Sequence, residues 1–260
     1  MLHHNSAKLI RCRYLLRRAL SAGSFAKDSA ACGVALIVNL PKGSEGPKRD
    51  HQLVKDITGV VGDFTYRAGI NEVTGESDGA GVRFYTLPHK FFQKKIDLGD
   101  FRTLDGDPIK GVVLTDGEFG VGQYFLSVDP AKAKSAKLLI DSVASENGVR
   151  ILGWRNLCST AVNADILSRA SKEKQPSLWQ SIFVRENGVG SSQGEESALK
   201  TCFAVVNKAK ELNIPVDIVS HSFDSVVYKG MIRPRQIADF YLDLKGYLLF
   251  SSEFKNTQMF

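Results

Sequence analysis

Asp116-Gly117 lies between two short apolar runs, Lys110 to Thr115 and Gly120 to Val128, and Asp129-Pro130 follows at once. The first pair reads as a hairpin turn, because glycine tolerates the backbone that a tight reversal needs. The second reads as a helix start, with Asp129 capping and Pro130 in the first turn of a helix to about Asn147. A hairpin running straight into a helix excludes strict β-α-β alternation and points to layered α+β architecture.

The rest of the chain fits that pattern. Strands are expected over Cys32 to Leu40, from Val82 until Pro88 stops the run, over Val149 to Trp154, over Trp179 to Arg185 and over Tyr247 to Phe250. Pro215 to Ser220 and Ser225 to Tyr228 read as an antiparallel pair. Helices are expected over Gln52 to Val61, interrupted by Gly59, over Ser197 to Leu212, and over Pro234 to Leu242. Residues 62–81 and the Gly/Ser-rich stretch from Glu186 to Gly194 read as loops. With 260 residues, 43% of them hydrophobic, the chain can bury a sizeable core. Its longest apolar runs, such as Val34 to Val38, fall far short of the roughly 20 residues that cross a bilayer as a helix.

The formal charge of +6 is confined to one end. Lys8, Arg11, Arg13, Arg17, Arg18 and Lys27 precede the first acid, Asp28; without those six, 28 basic residues face 28 acidic ones. On a helical wheel Leu9, Cys12, Leu16, Ala19 and Leu20 share one face, flanked by arginines. Arg-rich, Ser-containing and acid-free, residues 1–31 read as a mitochondrial import presequence, and residues 32–260 as one domain. The other reading of this leader is a retained basic helix that binds a membrane surface or a partner. A neutral body disfavours direct RNA contact and gives no reason to expect DNA binding.

Most chemical motifs fail on detail. Cys12, Cys32, Cys158 and Cys202 form no CxxC pair, and without a secretory signal a disulfide framework is not expected. Cys158 and Cys202 read as small core residues. His3, His4, His51, His89 and His221 have no partner at metal-ligand spacing and read as structural or surface groups, so no metal or other cofactor is expected. Gly75 to Gly81 lacks the Gly-Lys-Ser/Thr of a phosphate loop and precedes a strand, so it reads as a tight loop with positive φ at Gly79 or Gly81. There is no Gly-x-Ser-x-Gly elbow. Cys32 differs, because it opens the first apolar strand behind a removable leader. Freed by processing, its thiol would have its own α-amine, with a pKa near 8, as base; an internal Cys32 has a peptide nitrogen there instead.

Cys32-Gly33-Val34, Gly75 to Val82 (GESDGAGV), Ile151 to Arg155 (ILGWR), Gln180 to Arg185 (QSIFVR), Val226 to Met231 (VVYKGM) and Asp239 to Leu244 (DFYLDL) occur in that order. Together they resemble the N-terminal glutaminase domain of the glutamate synthase large subunit, a class II glutamine amidotransferase. The resemblance implies an α+β fold, an Ntn-hydrolase-like αββα layered sandwich, with Cys32 as its N-terminal nucleophile. It also exposes departures. Tyr66-Arg67-Ala68 stands where the family carries His-Arg-Gly. Glu253 stands at the family arginine that holds the glutamine carboxylate, where a like charge would repel the substrate. The chain reaches Phe260 before the family's Asn-Gly-Glu stretch, the implied source of oxyanion donors, each commonly worth about 10²–10³ in rate. The expectation is therefore a C-terminally truncated sandwich whose uncovered edges call for a protein partner.

Three readings follow. The first is a non-catalytic subunit of a large mitochondrial assembly, matrix-facing and held by other protein subunits, in a respiratory or ATP synthase complex or a mitoribosome. The second is an active glutaminase that uses Cys32 and takes glutamine as its ligand. The third is a small-molecule sensor that kept a pocket without turnover.

Overall fold

The computed structural model describes residues 33–38, 51–67, 80–157, 176–186, 191–245 and 256–259, together with Gly69, Ser77 and Gly79. All of these belong to the unit Ala31–Phe260. Two four-stranded antiparallel sheets form its frame. The first has the order β1 (Leu36–Val38), β8 (Asn256–Met259), β2 (Ala80–Tyr85), β7 (Ser225–Gly230). The second has the order β4 (Val149–Asn156), β5 (Ser177–Arg185), β3 (Phe119–Leu126), β6 (Val216–Ser222).

Alternation along the strands sets what each face buries. Val82 and Phe84 of β2, Val226 and Tyr228 of β7, Phe119 and Val121 of β3, and Leu178 and Ile182 of β5 join one apolar cluster drawn from both sheets. The opposite face of β3 carries Tyr124 and Leu126, which pack with Ala133, Ala136, Ile140 and Val143 of helix α3 (Pro130–Glu146). That face needs Gly120 and Gly122: a Cβ there would lie 2.0 Å from the Phe183 ring or 2.1 Å from the Tyr124 hydroxyl.

Helix α3 begins as its sequence dictates, with the Asp129 carboxylate accepting from the Ala131 and Lys132 amides at 2.8 and 3.4 Å. It packs against helix α4 (Ser191–Glu211), which turns Ala198, Thr201, Val205 and Ala209 inward and leaves Leu199, Phe203 and Val206 exposed. Helix α1 (His51–Asp63) sends Leu53, Val54, Ile57 and Val61 into the large cluster, as α2 (His89–Asp97) does Phe91, Phe92 and Ile96. A short α5 (Ile237–Phe240) lies between two 3-10 turns.

These two sheets with their helices are the α+β sandwich expected from the sequence. Several local expectations need correction. Helix α1 runs unbroken through Gly59, where open space surrounds the missing Cβ. Helix α2 was not foreseen. Residues 110–115 form no strand; the Gln93 side chain instead donates to the Val112 carbonyl at 3.0 Å and accepts from the Leu114 amide at 2.8 Å, satisfying groups a ladder would have used. Helix α4 starts at Ser191, inside the stretch read as a loop. Strands β6 and β7 are not partners: β6 pairs with β3 and β7 with β2, so the corner between them passes from sheet to sheet. Ser222 holds that corner, its hydroxyl accepting from the Asp224 and Ser225 amides. The strand expected over Tyr247 to Phe250 lies outside the described residues.

Candidate functional site

Cys32 and Glu253, the two residues on which the sequence places the chemistry, lie outside the described residues, as do Ala68 and Cys158. The structure does describe what adjoins Cys32. Gly33 sits against Phe64, where a Cβ would meet the ring at 3.0 Å, so a larger residue beside Cys32 would require that ring to shift. Ala35 and Ile37, in and just before β1, pack on the main core, whereas Val34 and Leu36 are exposed. At the start of β2, Gly79 has φ of +115°, the positive value expected at Gly79 or Gly81, and a Cβ there would lie 2.8 Å from the Gly230 carbonyl oxygen.

The best-defined polar centre lies between the sheets and was not foreseen as a cluster. Arg155 on β4 faces Gln180 directly across the ladder, and its Nε and one terminal nitrogen donate to Gln180 Oε1 at 2.8 and 2.6 Å. Its two terminal nitrogens bind the Asp243 carboxylate, which follows α5, in a fork. Tyr228 on β7 donates to Asp243 at 3.0 Å, and the Lys95 ammonium is 3.7 Å from the same carboxylate. The rings of Phe91, Phe92 and Phe101 surround the guanidinium within about 6 Å. Burial opposes the charge on both partners. It pushes the Asp243 carboxyl up, yet the Arg155 guanidinium, with Lys95 and Tyr228, holds it below the ordinary carboxylate value. Tyr228 is driven well above its ordinary value by burial and by the Asp243 charge.

Apart from Lys95, each polar member comes from a different segment quoted for the resemblance: Arg155 from ILGWR, Gln180 from QSIFVR, Tyr228 from VVYKGM and Asp243 from DFYLDL. Those scattered motifs meet at one ionic tie between sheets. The signal was present in the sequence as polar residues inside apolar strands, but which of them pair is decided only by the sheet registers.

A second buried network surrounds His221. Its Nδ1 lies 2.7 Å from the Tyr124 hydroxyl, which is 2.9 Å from Ser181 Oγ, and its ring stacks on Phe183. Serine, tyrosine and histidine in contact are the ingredients of nucleophile activation. This set is sealed from substrate: Tyr124 and Ser181 are fully buried and His221 is 6% exposed. Burial lowers His221 to about 3, so it stays neutral at physiological pH in the structural role expected of it. Cys202 is only half-buried on α4, less enclosed than expected, and burial pushes its thiol up to about 11, which keeps it protonated. Among the described residues, no three His, Cys, Asp or Glu side chains are grouped as metal ligands.

The two-sheet sandwich, with a Cys-Gly pair just ahead of its first strand, defines an Ntn-hydrolase-like domain. A family model, class-II glutamine amidotransferases, matches residues 32–255, and the chain belongs to that family. Ferredoxin-dependent glutamate synthase 2 of Synechocystis sp. is 30% identical over 220 residues, covering 85% of this chain and 13% of the cyanobacterial one. Ferredoxin-dependent glutamate synthase 1, chloroplastic/mitochondrial, of Arabidopsis thaliana is 29% identical over 227 residues, covering 85% and 13%. Glutamate synthase [NADH] of Saccharomyces cerevisiae is 24% identical over 222 residues, covering 82% and 10%. The chain therefore spans about an eighth or less of the length of these relatives.

Proposed function

We propose that this chain is a class II amidotransferase domain that does not turn over glutamine and serves as a structural or accessory subunit of a large mitochondrial assembly, a respiratory or ATP synthase complex or a mitoribosome. The observation that carries this reading is Glu253, a carboxylate at the position where the family resemblance implies an arginine for the substrate's own carboxylate. Arg155 does not replace it. This guanidinium, the one buried arginine among the described residues, is already held by Asp243 and Gln180. The mitochondrial part rests on the acid-free, Arg-rich leader, and the protein-partner part on a formally neutral body with the exposed apolar row Leu199, Phe203 and Val206. Blue-native electrophoresis of the native protein tests it. Co-migration with a megadalton assembly is the expected result; migration as a free chain together with glutaminase activity overturns it.

A second reading has its own support, because the family match begins at Cys32 itself. If processing exposes that residue, its α-amine takes the thiol proton and the sulfur attacks the glutamine carboxamide. Ammonia then leaves, and water releases glutamate from the thioester. Intact-mass measurement of the mature N-terminus separates the two readings.

A further inference from the structure

The chain has two tryptophans, Trp154 on β4 and Trp179 on β5, and both line one cavity of about 640 Å³. That volume lies within the roughly 300–1,000 Å³ of small-molecule sites. The end of α2, the loop at residues 102–106, helix α3, the ends of β4 and β5 and the segment after α5 line it.

The cavity's charges do not balance. Four cations line it (Lys95, Arg102, Lys137 and Arg155) against two acids, Asp100 and Asp243. Both acids are engaged: Asp100 binds Lys95 at 2.8 Å, and Asp243 is held by Arg155 with Lys95 behind it. Arg102 and Lys137 therefore have no acidic partner among the described residues. The Arg102 side chain donates to the Gly106 carbonyl, at 3.1 Å. The Lys137 ammonium lies over the Trp179 ring, 2.8 Å from its centroid, and 5.8 Å from that of Trp154. The rings hold this cation against the cavity wall, and burial pulls it down to about 8, so it remains charged at neutral pH. Two cations without an acidic partner, in a space for a small molecule, select a ligand with two negative charges.

We propose that this cavity binds a small dianion, a dicarboxylate or a phosphate, with Lys137 and Arg102 as its counter-charges. The proposal is independent of glutamine chemistry at Cys32 and holds under either functional reading. Because both tryptophans line the site, intrinsic fluorescence reports on it directly. The full chain is titrated at pH 7 and constant ionic strength with succinate, and separately with inorganic phosphate. A saturable change with at least one of them is expected. Succinate alone means two separated carboxylates, phosphate alone a single phosphoryl centre. Lys137→Met and Arg102→Leu should each raise the half-saturating concentration at least about tenfold, a loss of one charge-assisted contact, while Lys137→Arg keeps it within a few-fold. Both side chains reach solvent, so a loss of fold is not expected; a thermal melt checks each variant, and if one does not fold the other decides. No saturation with either anion up to about 10 mM, well above a millimolar dissociation constant, overturns the proposal. So does saturation that is unchanged in the folded charge-removing variants.

Discussion

Arg155 and Asp243 form a buried ion pair that ties the two sheets together: the arginine extends from β4, and the aspartate accepts a second bond from Tyr228 on β7. A guanidinium in that apolar setting is tolerated because Gln180 and Asp243 satisfy it.

Removing one partner leaves the other charge stranded. Asp243→Ala should cost about 3–5 kcal/mol in urea denaturation, the range for breaking a buried pair. Arg155→Met combined with Asp243→Leu should recover much of that loss, since neither charge then remains inside. A midpoint unchanged in Asp243→Ala would show that the pair does not hold the sheets.

The pH dependence of stability should have two stages. His221 in the fold titrates at about 3, against about 6.5 when unfolded, so between those values the unfolded chain binds the extra proton. Stability is complete above pH 6.5 and falls on acidification, by up to about 1.4 kcal/mol per pH unit for this one group. The Asp243 carboxyl is also depressed in the fold, so its contribution is lost only below its unfolded value of about 3.9. Chemical denaturation at pH 6, 5 and 4 should therefore show a slope that His221→Gln flattens. An equal slope in the variant would place the titrating group elsewhere.

Gly79 and Gly99 both have positive φ, +115° and +74°, but only Gly79 has a neighbour, the Gly230 carbonyl, 2.8 Å from where a Cβ would sit. Gly79→Ala should add that clash to its backbone strain and cost about 2–3 kcal/mol, whereas Gly99→Ala should cost about 1 kcal/mol from backbone strain alone. Thermal melts of the two variants side by side test the ranking, and equal losses would contradict it.

What could be read from the sequence was whatever local chemistry determines. Asp129-Pro130 set the start of α3, and the apolar run Gly120 to Val128 behind the Asp116-Gly117 turn set β3. The reading failed where distant segments decide. Strands β6 and β7 look like a hairpin because they are adjacent in the chain, yet each finds its partner in a different sheet. Residues 110–115 look like a strand until Gln93 takes over their backbone bonds. The site was legible in the same uneven way. Cys32 and Glu253 were visible as residues with a chemical meaning, whereas the Arg155 tie and the cavity around Lys137 depend on side chains more than 80 positions apart being brought together.

Whether this protein hydrolyses glutamine separates the two functional readings. The direct measurement is ammonia release from glutamine by the native protein, with its N-terminus read by intact mass and with Cys32→Ser as the control. No release above that control is expected. A chain that begins at Cys32 and releases ammonia, and loses that activity on Cys32→Ser, would contradict that expectation.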